Sequence, residues 1–82
     1  MFIIFNNDLL IRRNLKKLSQ KKLAEKVGVQ RHKISMLEHG HILPTLNLLE
    51  KITKILDIRL SEIYPAEIQE LLLKDNCKKQ NG

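Results

Sequence analysis

The segment SQKKLAEKVGVQRHKISMLEHG, from Ser19 to Gly40, constrains this chain more than any other, because it reads as two short amphipathic helices joined through one glycine. Ser19 can cap the first helix by accepting from the orphan backbone N–H groups at its start, and Leu23, Ala24 and Val27 then recur at helical spacing. Gly28 ends that helix. A glycine there takes the left-handed conformation that turns the chain sharply, and Val29 re-enters the core before Gln30 caps or opens a second helix. In that second helix Ile34 and Leu37 face inward. Left facing outward are Gln30, Arg31, His32, Lys33, Ser35 and Met36, mostly hydrogen-bonding or cationic side chains of the kind that suit the edges of bases.

This pattern resembles the phage-repressor and Cro type of helix-turn-helix, the XRE-like family. LSQ at 18–20, LAEKVGV at 23–29, IS at 34–35 and LEHG at 37–40 all fall in the family's register. PTLNLLEKITKILDI at 44–58 looks like its fourth helix and LSEIY at 60–64 like its short fifth, so the resemblance covers roughly three quarters of the chain, far more than a lone motif would. It implies an all-α fold: a five-helix, lambda-repressor-like DNA-binding domain over residues 1–64. A helical extension over 65–75 and a polar, basic, disordered tail over 76–82 are expected to follow.

Size and charge agree with this. The 82 residues allow one domain with a small core, and 43% hydrophobic residues with only three aromatics point to Leu, Ile and Val packed between helices. The formal net charge of +6 favours polyanionic partners, nucleic acid ahead of membrane. Cys77 is the single cysteine, which excludes an intramolecular disulfide and points to a reducing cytoplasm. MFIIF at the start is too short for a membrane span and lacks the basic region and long apolar stretch of a signal peptide. Those residues can pack as an arm on the bundle or pair with a second subunit.

Asn7 or Asp8 is the expected cap of the first helix, which should run from Leu9 to Lys17 with Leu9, Leu10 and Leu15 available to the core. The family usually has a glycine just before LSQ. Here Lys17 stands there, so either the turn is tighter or the lysine sits at positive φ. After a loop through Pro44, Thr45 should cap a helix whose inner face carries Leu46, Leu49, Ile52 and Leu56. Ser61 opens a short helix with Ile63 and Tyr64. Beyond Pro65, the stripe of Ile68, Leu71 and Leu72 has little left to cover it in a monomer and reads as a dimer interface, the alternative being that it folds back on its own subunit.

The resemblance also implies roles residue by residue. Gln20, at the start of the second helix, would hold a phosphate. Arg31 and His32 match the base-reading positions, with Gln30 and Lys33 flanking them. The Arg31 guanidinium can bond guanine O6 and N7 together, and His32 can donate to a guanine or meet a phosphate. Met36 also matches a base-facing position, to read a thymine methyl or simply to pack. Lys33, Ser35 and His41 are expected phosphate contacts. Arg13 and Glu38 match an ion pair that pins the third helix to the first and orients the arginine toward a phosphate.

The expected function is sequence-specific regulation of transcription by a homodimer on a roughly palindromic stretch of double-stranded DNA, with repression the default. Two alternatives use the same helices for autoregulation: an antitoxin that neutralises a protein toxin, and a controller protein of a restriction-modification system. His32, His39 and His41 lack the spacing of a zinc site, so neither metal nor cofactor is expected. With no phosphate-cradling loop, nucleophilic triad or paired carboxylates, the chain reads as a non-enzyme.

Overall fold

A computed structural model describes the backbone of residues 4–81 and side chains through residue 73. The chain is all-α, with five α-helices and one 3-10 turn among the described residues: α1 Leu9–Leu15, α2 Gln20–Val27, α3 Arg31–Glu38, α4 Leu46–Leu56, a 3-10 turn Leu60–Glu62, and α5 Ala66–Asn81. The expected short fifth helix is thus a single 3-10 turn. The backbone N–H of Arg59, the residue just before it, donates to Glu62 Oε2 at 2.7 Å.

Local chemistry accounts for most boundaries. The Ser19 hydroxyl accepts from the Lys22 N–H at 3.0 Å and the Thr45 hydroxyl from the Leu48 N–H at 3.2 Å, each satisfying an orphan donor of a helix start. Gly28 ends α2 at φ 78°. α1 stops at Leu15, earlier than expected, because Lys17 takes φ 56°. That conformation brings a Cβ against the following carbonyl and disfavours any residue but glycine. Lys17→Gly is therefore expected to raise stability by about 0.5–1 kcal/mol, since relief of the left-handed strain exceeds glycine's extra chain entropy. Urea denaturation at unchanged slope measures it, and an unaltered midpoint would show that the turn carries no strain.

One core forms where α2, α3 and α4 meet, built on Leu23, Val27, Ile34, Leu37, Ile52 and Leu56. α1 contributes less than its sequence suggests. Leu9 is buried, but Leu10 and Leu15 are 46% and 68% exposed. The reason is angular: Leu9 and Arg13, four residues apart, share the inward face, and Leu15 lies on the opposite side of the same helix. On α4 the inner face is Leu48, Leu49, Ile52 and Leu56, while Leu46 is only half-buried.

The far end of the bundle corrects a second expectation. Leu72 is 1% exposed within its own subunit and Ile68 packs partly buried against the same core, whereas Leu71 is 46% exposed. The stripe folds back because α4 and the 3-10 turn leave a groove that α5 fills. α5 also continues past Asn76 to Asn81, where a disordered tail was expected. Nothing between Ala66 and Asn81 is Gly or Pro, so nothing there breaks the backbone pattern.

Tyr64 closes the core beneath α5. It is 1% exposed, its hydroxyl has no hydrogen-bond partner among the described residues, and burial pushes its pKa up to about 12. The neutral phenol is the form that folds. Its contribution is intact below pH 10, the ordinary value, and is lost as pH rises toward 12, because the unfolded chain ionises first. Tyr64→Phe is expected to keep neutral-pH stability within about 1 kcal/mol and to flatten the alkaline decline. Equal alkaline slopes in both proteins would refute this.

Candidate nucleic-acid interface

The candidate surface is the outer side of α3 together with the start of α2. Gln30, Arg31, His32 and Lys33 are all exposed, and Ser35 and Met36 are half-buried behind them on the same helix. Ile34 and Leu37, both 0% exposed, anchor the opposite side. α3 therefore has one face fixed in the core and a cationic first turn free to approach a partner. Gln30 stands at its N-cap without a side-chain cap bond, which leaves the amide outward.

Beneath this surface Arg13 and Glu38 pair with side chains only 9% and 2% exposed. The Arg13 guanidinium donates from Nε to Glu38 Oε2 at 2.5 Å and from Nη2 to Glu38 Oε1 at 3.3 Å. From Nη1 it donates to the Leu18 carbonyl at 2.7 Å and to Asn14 Oδ1 at 3.2 Å. One arginine thus ties the end of α3 to α1 and to the turn before α2. The expected pairing of Arg13 with Glu38 is therefore present, and it joins α3 to α1. The contribution of Asn14 and of the Leu18 carbonyl leaves no trace in sequence, since both are set by the path of the turn.

Gln20 is half-buried beside this pair. Its Nε2 donates to Glu38 Oε1 at 2.9 Å, and its Oε1 accepts from Arg31 Nε at 3.4 Å. The residue expected to hold a phosphate is therefore also bonded to both neighbours in the site.

The other end of α3 is held by the N-terminal arm. The Phe5 N–H donates to the Gly40 carbonyl at 2.8 Å, and Asn7 Nδ2 donates to the carbonyls of Leu37 at 2.8 Å and Phe5 at 2.9 Å. Of the two expected caps of α1, Asp8 holds the N-cap position without a side-chain bond, while Asn7 Oδ1 accepts from the Leu9 N–H at 3.0 Å; Asn7 also clamps α3, a function its position in the sequence does not reveal. The described part of MFIIF packs on the bundle; Met1 to Ile3 lie outside the described residues. Nearby, the rings of His39 and His41 stack 5.9 Å apart, and His39 Nδ1 lies 2.7 Å from the Ser35 carbonyl. A carbonyl only accepts, so Nδ1 carries the proton. His41 is exposed at the edge of the α3 surface, where a phosphate contact was expected.

Two short helices at a glycine turn, the second presenting a polar first turn and locked from behind by an ion pair, define a helix-turn-helix protein. The chain belongs to that family, in its phage-repressor (XRE) branch: the family model described as helix-turn-helix matches residues 9–63. The family is a DNA-binding one without enzymatic activity. Over 76 residues the chain is 33% identical to a Bacillus subtilis protein named as an uncharacterized HTH-type transcriptional regulator, YqaE. That match covers 93% of this chain and 66% of the relative, just under two thirds of its length. Proteins with the same kind of name are similar in two archaea. One from Methanocaldococcus jannaschii is 38% identical over 64 residues, covering 78% of this chain and 97% of the relative. One from Archaeoglobus fulgidus is 37% identical over 54 residues, covering 66% and 77%. Among the described residues no helix is long and apolar enough to cross a membrane.

Proposed function

We propose that this chain regulates transcription by binding a specific DNA sequence through α3, as a homodimer on a roughly palindromic operator, and that it represses by occluding a promoter. One observation carries the proposal: Arg31, His32 and Lys33 stand exposed together on the first turn of a helix whose other face is fully anchored. That is the arrangement that places side chains against base edges in a major groove. Arg31 reads a guanine with Gln30 flanking it, His32 and Met36 contact neighbouring positions, and Gln20, Lys33, Ser35 and His41 serve the phosphates. In a homodimer two such helices enter successive major grooves about 34 Å apart. With Ile68 and Leu72 occupied in their own subunit, Leu71 is the member of the original stripe that remains for a two-fold contact, beside the 55% exposed Leu73.

The test is binding to a fluorescent duplex carrying the protein's own upstream region against a scrambled duplex, at two salt concentrations. A preference for the native sequence with affinity falling steeply as salt rises is expected. Arg31→Ala should lower affinity for the native duplex by about 1–3 kcal/mol while barely changing affinity for the scrambled one. Equal, weak binding to both duplexes would overturn the proposal and favour an antitoxin whose main partner is a protein toxin.

A further inference from the structure

We infer that the outer face of α1 is an interaction surface for a second copy of this chain, the two helices lying antiparallel across a two-fold axis with Asp8 of each copy against Lys16 of the other. α1 has two sides that differ in what covers them. Leu9 and Arg13 turn inward, while Leu10, Ile11 and Leu15 are 46%, 58% and 68% exposed. Ile11 and Leu15 are four residues apart, so they stand one above the other on the side opposite Leu9 and Arg13. A single exposed aliphatic side chain is ordinary on a protein surface, but three on a helix of seven residues form a patch.

Each end of the patch carries an unused charge. Asp8 holds the N-cap and Lys16 the C-cap; both are exposed, and neither side chain has a partner among the described residues. They are about 12 Å apart along the axis, at 1.5 Å per residue. That arrangement is complementary to itself. A parallel pair would oppose Asp8 to Asp8 and Lys16 to Lys16, whereas an antiparallel pair sets each acid against a lysine and Ile11 against Leu15, the self-matching pattern of a two-fold contact. Arg12, beside the patch, is directed to Glu62 of its own subunit at 3.9 Å. An anionic lipid surface or a uniformly acidic segment would satisfy Lys16 and oppose Asp8. The patch offers on the order of a few hundred Å² of apolar surface, against roughly 800 Å² buried by each partner in a standard stable interface. The contact is therefore weak, and it acts where copies are already close, as two held on one DNA molecule are.

Zero-length cross-linking with a carbodiimide tests this, because it joins a carboxylate to a lysine only when the two touch. Unlabelled and isotope-labelled chains are mixed at about 1 mM protein, the local concentration at which such a contact operates. The salt is about 0.15 M, where long-range repulsion between two basic chains is screened. Cross-linked peptides that carry one label of each kind identify bonds between copies. An Asp8 to Lys16 bond between copies is expected; within one chain the separation along the helix forbids it. Leu15→Asp, whose fold circular dichroism checks, is expected to lower the yield roughly tenfold, the worth of one buried leucine. Asp8→Lys removes the bond, and Asp8→Lys with Lys16→Asp in one chain restores it between the exchanged residues, a recovery that damage to α1 would not give. Absence of the bond in the wild-type protein, or a yield unchanged in Leu15→Asp, overturns the pairing. Binding to phosphatidylglycerol vesicles that Leu15→Asp abolishes, with no bond between copies, would also overturn it and give the face to a lipid surface. None of these results depends on what α3 recognises.

Discussion

Glu38→Ala is expected to destabilise the domain by about 3–5 kcal/mol and to abolish specific DNA binding, because it leaves the Arg13 guanidinium buried without its counter-charge. Arg13 cannot escape to solvent cheaply, being 7% exposed. The size of the effect measures the stranded charge rather than the net worth of the pair. Replacing both partners by apolar residues of similar volume should therefore recover most of the stability while leaving DNA binding impaired. Urea denaturation and duplex titration distinguish the two quantities. Wild-type midpoint and affinity in Glu38→Ala would mean that the pair neither stabilises α3 nor positions it.

Gly40→Ala is expected to be nearly as damaging, at about 3 kcal/mol. Its backbone sits at φ 77°, and a Cβ added there would lie 2.7 Å from Ile4 Cγ2, 2.8 Å from the Phe5 carbonyl oxygen and 3.0 Å from the Phe5 nitrogen. Two penalties combine, the left-handed strain of about 1–2 kcal/mol and the displacement of packed backbone at about 1–3 kcal/mol. The Phe5 backbone cannot simply give way, since it is hydrogen-bonded to Gly40 and to Asn7. Gly28 is the internal control. It has a similar φ of 78° but nothing within 4 Å of an added Cβ, so Gly28→Ala should lose only the strain, about 1 kcal/mol. Equal losses at the two glycines would show that the arm does not bear on α3.

What could be foreseen from sequence divides along the range of the interactions involved. Ser19, Gly28 and Thr45 act on backbone groups within three or four residues, and each has the expected local role. Arg13 and Glu38 are 25 residues apart, and nothing in spacing or composition joins them; the family resemblance alone pointed to their pairing. Leu10 and Leu15 show where a hydrophobic tally misleads, since the inward face of α1 is given to an arginine. Leu72 shows the converse, because only the three-dimensional groove between α4 and the 3-10 turn gives it a seat within the subunit. On the candidate interface, the exposed first turn of α3 follows from period and composition. The bonds from Gln20 to Glu38 and Arg31 depend on how α2 meets α3, and no periodicity encodes them.

The Asp8 N–H, at the entry to α1, donates to the carbonyl of Ile63 at 2.9 Å. That bond sets an order on folding during synthesis. The contacts between α2 and α3 are local in sequence and can form early, while the anchor of the first helix and the groove filled by Leu72 wait until the last third of the chain has left the ribosome. A chain ending shortly after Gly40 would hold both helices of the turn and the Arg13–Glu38 pair but lack the Ile63 anchor of α1, so the fixed placement of α3 depends on residues well outside the motif itself.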